Sequence, residues 1–356
     1  MLNDLRTLAR VLCDDYAPRT ATESVIISDR PHGRLRRYGS REQFDRARRD
    51  GAVPVLLVPP LAVPARCYDL APGVEPANSV VEFLLSTGSI PYVVDFGDVG
   101  RAERRLGFED YFDGFVPRAL GDALGDFGVS GGSADLLGWS LGGTISLLTA
   151  AFHRDLPIRS VITVGTPLSY AKIPMYRAVR TVLAPTAGRP VDSVLKALGG
   201  IPAPLVQFSY RALAWQRELR KPKYILDNLN DRDALIRMQV IDRFQDSMPG
   251  YPGRVSEQML LNLVVRDEIG DGVLHLGDRT VDLRALTAPV FAVGSHRDAV
   301  VSHAAAQHCE NLLTSSSRVD FHTVETSHLG LLTGGVAAAR TWPAIAKFRD
   351  ELTVTA

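Results

Sequence analysis

Gly138-Trp139-Ser140-Leu141-Gly142-Gly143 is a G-x-S-x-G box. The apolar run Ala134-Asp135-Leu136-Leu137 leads into it. Thr144-Ile145-Ser146-Leu147-Leu148-Thr149-Ala150-Ala151 leads out with helical character. A strand that turns sharply into a helix needs small residues around the turning residue, because a Cβ there would collide with neighbouring backbone. Gly138, Gly142 and Gly143 meet that need, with Trp139 in the variable position. Ser140 is then expected on a strained elbow, its hydroxyl exposed and a helix N-terminus behind it. That placement suits a nucleophile whose transition state becomes negative. The plainer reading is a glycine-rich turn with an incidental serine. Strand before and helix after favour the nucleophile.

Outward from the box, short apolar runs alternate with helical patterns, the signature of a mostly parallel sheet covered by helices. Val53 to Val58 ends at Pro59-Pro60, and Pro91 to Phe96 ends at Gly97. Ser160 to Gly165 follows the elbow; Pro289 to Gly294 and Val319 to Val324 come much later. This order predicts an α/β-hydrolase fold with core segments 51–167 and 284–356. An N-terminal helical or extended segment covers 1–50. Between Leu168 and Leu283 the rhythm stops in favour of helix formers broken at Gly199 to Pro204 and Pro249 to Gly253, so 168–283 reads as a helical cap over the catalytic face. Its apolar stretch, Leu205 and Val206 through Phe208, Tyr210, Leu213 and Trp215, is expected mostly to pack the insertion's own core, with one or two residues lining an acyl pocket.

A serine hydroxyl needs a base within hydrogen-bond reach, itself oriented by an acid. In this fold the chain order is serine, acid, histidine, each at a strand end. Asp298, in the loop after the run Pro289 to Gly294, is the acid candidate. His328, in Glu325-Thr326-Ser327-His328-Leu329-Gly330 after the last run, is the base candidate. Either could be a plain surface-loop residue, but both loops follow the last two strands in the required order. Of the rivals, His322 lies inside the last strand and His296 beside the acid loop. His303 and His308 follow Asp298, His153 follows the elbow helix, and His32 and His275 lie outside the sheet-end loops. The oxyanion hole is expected to use the Leu141 amide and one from the turn after Val58. Pro59 and Pro60 cannot donate, so Leu61 comes first and Ala62 remains open.

Lys and Arg total 40 and so do Asp and Glu, so no net field recruits nucleic acid or an anionic membrane. Cys13, Cys67 and Cys309 form neither a metal-ligand spacing nor a disulfide framework, which points to a reducing compartment. Asp4, Arg6, Arg10, Asp14 and Asp15 interrupt the N-terminus, against a signal peptide, and no run is long enough to span a bilayer. A soluble cytoplasmic protein without a metal or cofactor is expected, acting on a small acyl substrate.

Several segments together resemble the polyhydroxyalkanoate synthase family, an α/β-hydrolase-fold group. They are Val55 to Pro60 with Tyr68-Asp69-Leu70, Pro76 to Val81, Val94 to Gly97 with Asp110-Tyr111, and the nucleophile box. Gly165-Thr166-Pro167, Pro249 to Arg254, Val281 to Leu283, Arg297-Asp298 and Ser327-His328 continue the likeness. The resemblance implies a hydroxyacyl-coenzyme A thioester as substrate, with coenzyme A entering only as part of it. It leaves a homodimer and a synthase-type partner subunit both open. Such synthases carry cysteine where this chain has Ser140, and a serine ester hands its acyl group on less readily than a thioester does. The turn Leu61 to Arg66 also departs from the family's more aromatic and polar version. The serine favours a hydrolase or single-step acyltransferase over a polymerase, the altered turn points to a different substrate at the site entrance, and a catalytically silent scaffold is the remaining reading.

Overall fold

Three of the apolar runs around the elbow are enclosed along their whole length, as a parallel sheet covered by helices requires. The computed structural model describes residues 2–13, 16–128, 132–183, 191, 199–213 and 215–354. Its first strands are β1 (Ser24–Ser28), β2 (Arg34–Tyr38), β3 (Val55–Val58), β4 (Pro91–Asp95), β5 (Ala134–Trp139) and β6 (Ile158–Val164). The short strands β7 (Gly200–Ile201), β8 (Tyr251–Pro252), β9 (Val273–Leu276) and β10 (Arg279–Asp282) follow, then β11 (Val290–Gly294) and β12 (Val319–Thr323). The main sheet has the order β1-β2-β4-β3-β5-β6-β11-β12. From β4 to β12 all neighbours are parallel. This is the mostly parallel, helix-flanked sheet of the α/β-hydrolase fold that the sequence predicts.

Period-two alternation splits the strands between two faces. Helices α1 (Leu2–Leu12), α2 (Arg41–Arg49) and α3 (Val80–Ser86) precede α4 (Val116–Phe127) and α5 (Leu141–Phe152), and Leu56, Val58, Leu136, Val290 and Ala292 enter one apolar cluster with α4 and α5. Val55, Leu57, Leu137, Trp139, Phe291 and Val293 enter the other, with α3 (Val80–Ser86) and the helix Trp342–Val354. Register brings the strand ends level: Val58 stands opposite Gly138, Trp139 opposite Val164, Val164 opposite Val293, and Gly294 opposite Thr323. Every loop that leaves these ends therefore opens at one edge of the sheet.

The N-terminal segment joins the sheet. β1 and β2 form an antiparallel hairpin that extends the sheet beside β4. Arg34-Leu35-Arg36-Arg37-Tyr38 hides its strand character because only Leu35 and Tyr38 turn inward, while Arg37 pairs with Asp126 at 2.9 Å. Between β6 and β11, the helices Ala203–Leu213 and Arg232–Asp246 with the turn after them send Val206, Phe244 and Met248 into the cluster that holds Trp139. The β9–β10 hairpin instead packs Leu274, Leu276 and Val281 against α5 on the opposite face. The aromatic stretch departs from expectation. Phe208 is 68% exposed and Trp215 56%, so these side chains do not fill the insertion's core. Among the described residues no helix is long and apolar enough to cross a membrane.

Candidate active site

Ser140 caps α5 with φ 52° and ψ −126°, a left-handed backbone that costs a β-carbon residue about 1–3 kcal/mol. The surrounding structure enforces it. The Ser140 amide donates to Val164 O at 2.8 Å, and Thr166 Oγ1 donates to Ser140 O at 3.0 Å. The box glycines are required by close approach. A Cβ on Gly138 would stand 2.3 Å from Gly143 N, on Gly142 2.1 Å from Val58 O, and on Gly143 2.0 Å from Thr166 Oγ1. Sequence reasoning supplied the need for small residues here; the structure supplies the atoms that impose it.

His328 and Asp298 meet across the loops after β12 and β11. His328 Nδ1 lies 2.6 Å from Asp298 Oδ2, with the histidine 6% and the aspartate 8% exposed. Asp298 Oδ1 accepts from the amides of Val300 at 2.8 Å and Val301 at 2.9 Å, so the carboxylate is fixed on both oxygens. The imidazole is held against Trp139, ring centroids 5.1 Å apart, and the indole Nε1 donates to His328 O at 3.3 Å. On another side it faces Gly165, where a Cβ would stand 3.1 Å from the ring; that glycine has φ +58°. Ser140 is itself buried, 7% exposed.

His328 Nε2 is buried without a hydrogen-bond partner among the described residues. The link from imidazole to Ser140 Oγ is therefore not closed. Catalytic hydrogen bonds of this kind often tighten only once substrate is bound. Leu141 opens α5, so its amide has no intrahelical acceptor. Gly142 touches Val58 O and Pro59, which sets the Pro59-Pro60-Leu61-Ala62 turn against the elbow; Ala62 has φ +58°. The rival histidines are engaged elsewhere. His153 Nε2 is 2.9 Å from Asp113, His308 Nε2 contacts Gly270 O, and His32 Nδ1 contacts Phe96 O. His322 stacks on Phe291, and exposed His275 is 3.7 Å from Glu268. His296 stacks on His303 with centroids 3.8 Å apart while its Nδ1 meets Glu325 at 2.6 Å.

Two supporting residues escaped the sequence reading. Ser295, 1% exposed, donates to Thr326 O at 2.7 Å and accepts from the amides of Thr326 at 3.1 Å and Arg297 at 3.0 Å. It staples the loop carrying Asp298 to the loop carrying His328. Tyr68 joins β3 to the residue before Ser140. Its hydroxyl donates to Val58 O at 2.6 Å and accepts from Trp139 N at 3.0 Å. Farther in, Tyr210 and Tyr251 share a hydrogen bond, and burial pushes the Tyr210 phenol up to about 12 with Asp298 among its electrostatic neighbours.

Comparison with known proteins agrees with this architecture. No protein-family model matches the sequence. The chain is 26% identical over 280 residues to the Poly(3-hydroxyalkanoate) polymerase subunit PhaC of Allochromatium vinosum, covering 78% of this chain and 76% of that one. To the subunit of the same name from Synechocystis it is 25% identical over 304 residues, covering 84% and 78%. Among solved structures, a putative non-heme bromoperoxidase BpoC from Mycobacterium tuberculosis superposes with a TM-score of 0.50 at 13% identity, covering 94% of this chain and 97% of that one. The chain is an α/β-hydrolase-fold enzyme, similar along most of its length to polyhydroxyalkanoate polymerase subunits.

Proposed function

We propose that the protein is a serine acyl-transfer enzyme acting on an acyl ester or an acyl-coenzyme A thioester. The observation that carries this reading is the buried pair of His328 and Asp298, at the same edge of the sheet as the strained Ser140, with His328 Nε2 unpaired among the described residues. In the proposed cycle Ser140 Oγ attacks the substrate carbonyl while its proton passes to His328 Nε2. Asp298 keeps Nδ1 protonated and balances the imidazolium. The oxyanion takes hydrogen bonds from the amides of Leu141 and Leu61, with Ala62 as the alternative to Leu61. The C–O or C–S bond then breaks, and the leaving alcohol or thiol takes the proton from His328. An acceptor hydroxyl repeats the steps in reverse to release the acyl group. No metal or separate cofactor has a part, since coenzyme A would arrive as part of the substrate and leave as the free thiol.

A hydrolase or single-step acyltransferase fits the serine best. The competing reading is a polymerase, favoured by the names of the relatives, whose products are poly(3-hydroxyalkanoates). Incubation with 3-hydroxybutyryl-coenzyme A separates the two: free hydroxy acid supports hydrolysis, insoluble polymer with free coenzyme A supports synthesis. A silent scaffold is the third reading, and a wild-type chain whose Ser140 resists a fluorophosphonate would favour it. The relatives' designation as subunits keeps a homodimer or a partner chain within the proposal. The three unpaired thiols suit a reducing cytoplasm.

A further inference from the structure

β3 and β5 pair in parallel from Asp135 N, which donates to Pro54 O at 3.0 Å. Parallel ladders repeat every two residues, so the last rung of this pair falls at Trp139 N and Val58 O. The Tyr68 hydroxyl bonds both atoms of that rung, 3.0 Å from Trp139 N as acceptor and 2.6 Å from Val58 O as donor. On the other edge of β5, Ser140 N donates to Val164 O at 2.8 Å.

We propose that Tyr68 is a positioning residue whose hydroxyl, bonded to both Val58 O and Trp139 N, sets the spacing between the nucleophile elbow and the Leu61 turn. The inference rests on the reading of Ser140 as nucleophile. Leu61 lies three residues beyond Val58 and Leu141 two beyond Trp139, so the two amides of the oxyanion hole descend from the atoms that this hydroxyl joins. Gly142 holds the spacing from the other side, since any Cβ there would strike Val58 O. Tyr68 is fully buried at the end of the one-turn helix Ala65–Tyr68, which follows the Leu61 turn. Burial pushes its phenol well above the usual value, so the hydroxyl keeps its proton and donates throughout the working pH range. A misplacement of about 1 Å at an oxyanion donor is enough to cost about a hundredfold in rate.

The test compares Tyr68→Phe with Tyr92→Phe, the second a fully buried tyrosine on β4 whose hydroxyl donates to Asp126 at 2.7 Å. Steady-state constants on p-nitrophenyl esters are normalised to the fraction of Ser140 that a fluorophosphonate titrates. Tyr68→Phe is expected to lower kcat about 10- to 100-fold with KM within about twofold, while Tyr92→Phe keeps kcat within about twofold. Unchanged kcat in Tyr68→Phe, or equal losses in both variants, overturns the proposal. If Tyr68→Phe does not fold, 4-aminophenylalanine at position 68 restores a hydrogen-bonding atom in the same place, and kcat within about tenfold of wild type is expected. A folded aniline variant with a loss beyond about a hundredfold, or failure of both variants to fold, makes Tyr68 a prop of the fold alone. Wild-type protein without titratable Ser140 would instead sink the serine mechanism itself.

Discussion

At its first residues strand β5 carries Asp135 and at its last the elbow to Ser140, and the chain treats these two polar groups in opposite ways. Asp135 is fully buried and fully answered. Arg159 reaches both carboxylate oxygens, at 2.9 and 2.6 Å, Ser160 Oγ donates at 2.7 Å, and Arg349 Nε donates at 2.7 Å. Arg349 in turn holds Ser89 Oγ and Val53 O, which ties the C-terminal helix under the sheet. At the other end Ser140 sits in a strained backbone and His328 Nε2 has no partner among the described residues. Satisfied charge at one end stabilises the scaffold; unsatisfied polarity at the other is what chemistry can use. The two ends should therefore respond to substitution in opposite currencies, activity at one and stability at the other.

The largest expected effect is on Ser140→Gly. Turnover of acyl esters should fall by at least about 10⁴-fold. The melting temperature should rise, because glycine adopts positive φ without strain. A melting temperature that falls with the activity would break the contrast. Asp298→Asn should leave the fold intact and cost kcat about 10³- to 10⁴-fold, because an amide cannot balance the imidazolium or fix its tautomer. Steady-state rates and circular dichroism together read that outcome.

At the opposite end, Asp135→Ala leaves Arg159 and Arg349 beside an empty partner, and chemical denaturation should report a loss of about 3–5 kcal/mol. The kcat per titratable serine should stay within about twofold of wild type, which would blur the contrast if it did not. The smallest effect is in acid. Burial alone would push the Asp135 carboxyl up, but the hydrogen bonds and charges of Arg159 and Arg349 outweigh it and hold the group below its ordinary value. A depressed pKa contributes stability that is present above the unfolded value and lost as pH falls through the folded one. Urea midpoints should therefore decline more steeply below about pH 4 in wild type than in Asp135→Asn.

Much of this was legible before any coordinates. Six apolar runs became strands of the main sheet, with shifts of one or two residues at their ends, because buried parallel strands are continuous apolar runs. Ser140, Asp298 and His328 were singled out by their order along the chain and their strand-end loops, and the loops that carry them leave one edge of the sheet. The β1–β2 hairpin was not legible, since the strand Arg34 to Tyr38 is rich in arginines and sends only two residues to the core. Ser295 and Tyr68 were in view as letters, one in the acid loop and one in the segment after the double proline. Their roles depend on partners 31 and 71 residues away, and no local pattern encodes such contacts. Phe208 and Trp215 show the converse: apolarity in an insertion does not tell whether a side chain faces the core or the solvent.

Intact-protein mass spectrometry after rapid mixing with acyl-coenzyme A and p-nitrophenyl acyl esters tests the serine mechanism most directly. One acyl group should appear on the chain and map to the peptide containing Ser140, and it should be absent from Ser140→Ala treated in the same way. Turnover of either substrate that persists in Ser140→Ala, or an adduct that maps to another residue, would contradict it.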